Sequence, residues 1–414
     1  MKPATQPSLK QKIHCLITPA VFLVIRAYRR LLFGKKLIAI TGSVGKTTTK
    51  ELVHAVLSTH YSGRKTHGSC NGISALVRAI LSTRPWDRFC VVEMGASRAG
   101  IIRRLAGMAP PDIAVVPAIG LDHYTVYRSR EGVAKEKGAM VRALSARGTA
   151  ILNADDPLIA AMAEWTEARV VRFGSGPQAD VRASNASAVW PDPLSFTLHV
   201  DGESHRVHTQ LLGTQWMSCM LAAIAVGREM RVPMNDILRA IESFEPVECR
   251  MSPVTHPDGV QFILDDFKAP HWAIENALSY MREARARRRI MVFGTISDAP
   301  GATSPKYRAI ARSALEFCDL VVFAGNCAHY AVKAGEASVS DRLKAFDTVR
   351  EASDFLKGEL RAGDLVLLKG SMRADHLLRI ALDRERPISC WRMDCNMMIR
   401  CTLCPDLYGK TRAP

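Results

Sequence analysis

The stretch ITGSVGKTTTKE, Ile40–Glu51, ends one apolar run and opens another of a different period. Upstream, KKLIAITG reads as a short buried strand, and downstream KTTTKELVHAVLSTH reads as an amphipathic helix. A glycine turn between a strand and a helix is a phosphate loop, because backbone N–H groups and the helix N-terminus face one anion. The usual pattern has four residues between the first Gly and the Gly-Lys pair. Here only Ser43 and Val44 separate Gly42 from Gly45-Lys46-Thr47. Thr41, Gly42, Ser43, Val44, Gly45, Lys46, Thr47 and Thr48 are expected to wrap the phosphates. Lys46 would reach the β- and γ-phosphates, and the Thr47 hydroxyl would serve Mg²⁺. A glycine turn that merely starts a helix is the alternative, and the apolar strand before it argues against that.

The pattern repeats outward from the loop. RFCVVEMGA, PDIAVVPAIG and GTAILNADD are apolar runs ending in loops, with helical stretches such as RAGIIRRLAGM and EGVAKEKGAMVRAL between them. Strands alternating with helices predict a parallel sheet covered on both faces, hence an α/β fold. From Val181 to His208 the residues alternate polar and apolar, which predicts antiparallel strands appended to that sheet. Near Arg250 a second α/β series begins, with strands QFILDDF, RRIMVFGT, DLVVFAG and DLVLLKGS. It reads as a smaller doubly wound, Rossmann-like domain. The expected division is 1–36 as an apolar and basic helical extension and 37–248 as a P-loop parallel-sheet domain. Residues 249–386 form the C-terminal domain and 387–414 a cysteine-containing tail.

The 414 residues suffice for two or three domains, and 48% apolar with 23% charged residues is the balance of a soluble globular protein. The formal charge of +16 favours anionic partners. No cleavable signal peptide is evident, so the 11 cysteines read as reduced thiols or metal ligands and the chain as cytoplasmic. IHCLITPAVFLVI, Ile13–Ile25, is shorter than the roughly 20 residues of a spanning helix. Arg26, Arg29, Arg30, Lys35 and Lys36 follow it. Two readings stay open: a helix packed on the main domain, or peripheral contact with an anionic membrane through residues 13–36.

Further motifs follow the loop in order: VVEMGAS with Glu93, AIGLDH with His123, GVAKEKGAMV with Lys137, LNADDP with Asn153 and Asp155, LDDFKAP with Asp266 and Lys268, and VLLKGS ending at Ser371. Each is weak alone. Together, over about residues 37–380, they resemble the Mur ligase family of ATP-dependent amide ligases, which build the peptide of peptidoglycan and include folylpolyglutamate, cyanophycin and poly-γ-glutamate synthetases. The resemblance implies Glu93 and His123 as Mg²⁺ ligands. It implies Lys137, with Lys135 as a near alternative, as a lysine that is carbamylated to hold Mg²⁺. Asn153 and Asp155 would contact the nucleoside, and Arg250 would stand at the domain junction near the nucleotide. Asp266 and Lys268 would meet ATP from the far side, and Lys369, Gly370 and Ser371 would shape the pocket for the incoming amine. The implied catalytic set is Lys46, Lys137, His123 and Lys268.

The implied reaction is attack of a carboxylate on the γ-phosphate of ATP, then attack of an amine on the acyl phosphate, with domain closure excluding water. The partners would be a small carboxylate and an amino-acid or peptide amine, with no nucleic acid. Three departures qualify this. About 36 residues precede the first strand, so an acid other than a UDP-muramyl peptide is expected. GTQWMSCMLAA places Gln215, Trp216 and Cys219 where the family has a Gly-x-His-Asn-type run, and PAIG replaces the more usual Thr-Asn before Ile119-Gly120. The tail carries Cys390, Cys395, Cys401 and Cys404, with four, five and two residues between them. Cys401-x-x-Cys404 has zinc-knuckle spacing, so the tail either holds Zn²⁺ or carries four thiols. Rival readings are a polymerising ligase of the poly-γ-glutamate type, a catalytically weakened ATP-binding subunit, and a basic nucleic-acid ATPase. For the last, REARARRR lies just before a buried strand without aromatic interleaving.

Overall fold

The computed structural model describes residues 9–298, 301–332, 341–393, 395 and 400–409, with side chains from residue 20 onward. The chain forms two compact units. The first comprises Met1–Ser184, Leu198–His205 and Met217–Glu242, and the second Asn185–Thr197, Arg206–Trp216 and Ser243–Pro414.

The larger sheet contains β1 (Lys36–Ile40), β2 (Gly63–Lys65), β3 (Phe89–Glu93), β4 (Ile113–Val116), β5 (Thr149–Asn153), β6 (Arg169–Gly174), β7 (Val181–Ser187), β8 (Ser195–Val200) and β9 (Glu203–His208). Their order is β2-β3-β1-β4-β5-β6-β7-β8-β9. β1 lies between β3 and β4, parallel to both. Chain direction across the sheet therefore reverses at β1, and that switch point is where a crevice opens at the strands' carboxyl ends. All five residues of β3 are buried, as expected for strands covered on both faces. β7 departs from the antiparallel expectation. It meets β6 in parallel register, Phe173 opposite Val181 and Gly174 opposite Arg182.

The helices of this unit begin with α1 (Leu9–Leu31), α2 (Lys46–Ser58), α3 (Ile73–Leu81), α4 (Ile101–Met108), α5 (Tyr124–Tyr127) and α6 (Arg130–Lys137). α1 packs on α3 and α4, burying Ile25 in the core with Val21, Phe22 and Tyr28 against it. Arg29 is ion-paired to Asp112, and the Lys35 ammonium donates to the Pro85 carbonyl at 2.7 Å. The packed reading of this segment therefore describes one face of α1. The other face exposes Leu23, Val24 and Leu31, and Phe33 in the turn after the helix is exposed as well. No described helix is long and apolar enough to cross a membrane.

The second sheet contains β10 (Ser252–Thr255), β11 (Gln261–Asp265), β12 (Arg288–Phe293), β13 (Leu320–Ala324), β14 (Leu343–Phe346) and β15 (Asp364–Lys369). Their order is β10-β11-β15-β12-β13-β14. β10 alone runs antiparallel to its neighbour. β15 is central and buried along all six residues. The described part of the tail is built into this unit, since Ile388, Cys401 and Leu407 join its core.

Candidate active site

In the first unit the site grows from the turn after β1. Thr41 continues the ladder to Val115 and its hydroxyl donates to the Met94 carbonyl at 2.8 Å. The Ser43 amide donates to the Ala118 carbonyl at 2.9 Å and its hydroxyl to the Gly120 carbonyl at 3.2 Å. The short loop is thus sewn to the segments after β3 and β4. Gly45 begins α2 at φ +77°, a left-handed conformation that favours glycine. A Cβ there would stand 2.6 Å from the Cys219 sulfur. The Lys46 ammonium folds back over the loop, donating to the Gly42 carbonyl at 2.7 Å. Thr47 and Thr48 are buried at the first turn of α2.

Two charge clusters flank this loop. At the end of β3, Glu93 is buried 3.5 Å from the ammonium of Lys50, a fully buried residue of α2. After β4, Asp122 is buried, with the Lys137 ammonium 3.7 Å from one carboxylate oxygen and His123 Nε2 3.7 Å from the other. His123 has φ 49° and caps α5, an unusual conformation outside glycine. Lys137 ends α6 at 1% exposure, whereas Lys135 is exposed, so the fold brings Lys137 and not Lys135 to His123.

Asn153 and Asp155 are occupied by main-chain contacts. Asn153 donates to the Pro117 carbonyl at 2.8 Å and accepts from the Asp155 amide. Asp155 accepts from the Ser175 and Gly176 amides, at 2.8 Å and 3.3 Å at their shortest. They join the ends of β4, β5 and β6 into one rim.

In the second unit the strand ends gather a separate polar cluster. Asp265 pairs with Lys369 at 2.6 Å, and the same ammonium reaches the Lys268 carbonyl at 3.3 Å. Lys268 pairs with Asp298 at 2.8 Å. Asp375 accepts from the Thr295 amide and hydroxyl, each at 2.6 Å, and from the Ser371 amide at 3.0 Å. Gly294 is needed there, since a Cβ would meet the Asp375 carboxylate at 2.3 Å. Arg250 stacks 4.0 Å above the Phe267 ring. Asp266 does not join the cluster. It is buried and accepts from the Leu378 amide at 2.8 Å, and burial raises its carboxyl to about 6.

Sequence reasoning passed over Lys50, Asp122, Asp265, Thr295 and Asp375. Asp122 and Lys50 lie inside quoted motifs, but only the fold shows Asp122 to be the residue joining His123 to Lys137.

The comparisons with known proteins agree with this geometry. The sequence pattern of the Mur ligase middle domain matches residues 40–227, and that of the Mur ligase glutamate ligase domain matches residues 249–372. UDP-N-acetylmuramoyl-tripeptide–D-alanyl-D-alanine ligase of Mycobacterium leprae is 33% identical over 371 residues, 82% of this chain and 71% of the relative. The Bacillus subtilis enzyme of that name is 26% identical, over 86% of this chain and 77% of its own. A crystal structure of MurF from Acinetobacter baumannii superposes with a TM-score of 0.80 at 26% identity, covering 88% of this chain and 80% of that one. A compact phosphate loop, a buried lysine paired with the carboxylate after β4 and a third of the aligned positions shared with such a ligase agree on one answer: the chain belongs to the Mur ligase family of ATP-dependent, ADP-forming amide ligases.

Proposed function

We propose that this chain joins a peptide carboxylate to the amine of a D-alanyl-D-alanine-type dipeptide, as the names of its relatives describe for them. The observation that carries the reading is the Lys137–Asp122–His123 arrangement beside the phosphate loop. A lysine at 1% exposure carries the desolvation cost of a buried cation. As a carbamate it becomes an anionic oxygen ligand. The donors fit Mg²⁺: the Thr47 hydroxyl, the Glu93 carboxylate and the Asp122 carboxylate are hard oxygens, and His123 adds a nitrogen. When bound, Mg²⁺ supplies positive charge to the phosphate oxygens.

The chain's own residues do the rest. Loop amides and the α2 N-terminus hold the phosphates, and Lys46 swings from the Gly42 carbonyl to the phosphate oxygens. The substrate carboxylate displaces ADP from the γ-phosphoryl group, forming an acyl phosphate. The amine attacks its carbonyl carbon, phosphate leaves, and the amine's proton passes to a base. Both partners of the first step are anionic, so neutralisation by Lys46 and Lys268 is the main demand. The Asp375–Thr295–Ser371 cluster of the second unit offers the carboxylate and hydroxyls to orient an amine.

A second reading keeps the chemistry and changes the acid, to one other than a UDP-muramyl peptide. It is favoured by Cys219, whose thiol lies 3.7 Å from the Gly45 carbonyl where the family resemblance places polar residues. We place the protein on the cytoplasmic side of a membrane, with the exposed apolar face of α1 toward anionic lipid, and assign Zn²⁺ to the tail cysteines.

The test is phosphate release by purified full chain with ATP, Mg²⁺, D-alanyl-D-alanine and either the UDP-muramoyl tripeptide or free peptide acids. Release requiring the nucleotide-linked acid supports the first reading, and release with free acids the second. Absence of release with any acid–amine pair would overturn the ligase proposal.

A further inference from the structure

Beneath the tail, a cavity of about 10 Å³ is lined by His376, Arg379, Cys390, Cys395, Cys401 and Cys404. That is room for one water-sized occupant. Five of these six side chains are donors that zinc prefers, thiolate sulfur and imidazole nitrogen. Cys401 opens a 3₁₀ turn in which the Cys404 amide donates to the Cys401 carbonyl at 3.0 Å, so the Cys-x-x-Cys pair bends around one side of the cavity.

His376 arrives from elsewhere in the chain. It follows β15 by seven residues, sits at φ 52°, and is 3% exposed. Its Nδ1 lies 3.2 Å from the Cys401 sulfur. Its Nε2 is buried without a hydrogen-bond partner. An unsatisfied buried polar atom costs about 1–3 kcal/mol, so the fold holds this ring in place at a cost. Nδ1, 3.2 Å from the Cys401 sulfur, is spaced as two donors of one tetrahedral zinc ion would be.

Arg379 settles the charge. It is buried at 1% exposure and its guanidinium donates to the carbonyls of Asp375, His376 and Cys390 at 2.7, 3.2 and 3.0 Å. Zn²⁺ with four thiolates carries two net negative charges, and with three thiolates and one neutral imidazole it carries one. A single adjacent guanidinium balances the second set and not the first.

We infer that His376, Cys401 and Cys404, with Cys390 or Cys395, bind one zinc ion that fastens the tail to the loop after β15. The inference rests on the assignment of zinc to the tail and is independent of the substrate. Binding exchanges the thiol protons for the metal, and the protons go to solvent. The ion's reach is local and definite. His376 follows Asp375, which holds Thr295 and Ser371, so the metal would position the polar cluster of the second unit.

Full-length protein purified without chelator would be analysed for zinc, then exchanged with Co²⁺ and its absorption recorded. The expected results are one zinc per chain and a cobalt spectrum of three sulfurs and one nitrogen. His376→Asn should weaken zinc binding by at least about 100-fold, and His376→Cys should restore binding with an all-sulfur spectrum. A wild-type spectrum of four sulfurs, unaltered in His376→Asn, overturns the role of His376 while leaving zinc in the tail. Protein that takes up neither metal overturns both. The wild-type spectrum needs no variant, so a misfolded mutant leaves the test intact.

Discussion

The Lys137 ammonium and the Asp122 carboxylate face one another at 3.7 Å, both buried, with His123 on the opposite oxygen of the same carboxylate. Asp122→Asn removes one charge of a buried pair and keeps the shape. In protein whose Lys137 is still an ammonium, such a change costs about 3–5 kcal/mol. The expected outcome is a lower unfolding midpoint and a fall in ADP release of about 100-fold or more. Lys137→Arg should lose activity to a similar degree, because guanidinium cannot take up carbon dioxide as a carbamate. Activity of wild-type protein stripped of carbon dioxide should recover on adding bicarbonate, while Lys137→Arg shows no response. Full activity in Lys137→Arg would contradict the carbamate assignment.

Lys46 presents its ammonium to the Gly42 carbonyl, 2.7 Å away, as a pre-positioned cation at the phosphate loop. Lys46→Ala should reduce acid- and amine-dependent ADP release by about 10²–10³-fold, the size of effect seen when one transition-state donor is removed. The unfolding midpoint should shift far less than activity does, because the Lys46 ammonium donates to the Gly42 and Ser43 carbonyls of its own loop rather than filling the core. Steady-state phosphate release and thermal unfolding, measured side by side, separate the two effects.

Much of this was legible in the sequence because it is local. A strand, a glycine turn and a helix start lie within Ile40–Glu51, and the apolar runs placed β3, β4, β11, β12, β13 and β15. What the sequence hid is tertiary. Asp266 accepts from Leu378, 112 positions away, and nothing near Asp266 signals that it turns inward. Asn153 and Asp155 look like nucleoside contacts, yet their side chains are taken by the amides and carbonyls of neighbouring strands. His376 reads as an ordinary loop residue until the fold sets it against Cys401, 25 positions later.

Gly45→Ala tests the packing behind the phosphate loop. The backbone at φ +77° costs about 1–2 kcal/mol for a residue with a Cβ. The methyl group would also stand 2.6 Å from the Cys219 sulfur. Lower stability and weaker nucleotide binding are expected. Adding Cys219→Ala should relieve the collision but not the backbone strain, so the double variant recovers only part of the loss. Nucleotide titration and thermal unfolding of the three variants measure each share.

The end of α1 and the turn after it leave Leu31 78% and Phe33 92% exposed, alongside exposed Arg26, Arg30 and Lys36. An apolar edge within a basic surface should hold the protein on anionic vesicles and release it as salt rises. Leu31→Glu with Phe33→Glu should abolish co-sedimentation with phosphatidylserine vesicles and spare ligase activity in solution. Equal sedimentation of wild type and the double variant would remove the membrane role of this face.

Asp266 makes stability depend on pH in an unusual direction. Burial raises its carboxyl to about 6 from the ordinary 3.8, so between those values the folded state holds a proton that the unfolded chain has released. Stability then falls as pH rises, since the folded state binds more protons. The contribution is fully present below about pH 4 and is lost as pH passes about 6. Asp266→Asn keeps an acceptor for the Leu378 amide and cannot ionise. Relative to wild type, the Asn variant should gain stability steadily from pH 4 to pH 7, by up to about 3 kcal/mol at the top of that range. Denaturant unfolding of both proteins across this range gives the difference directly. A constant difference would show that Asp266 holds the same charge in both states and is not the buried acid its surroundings make it.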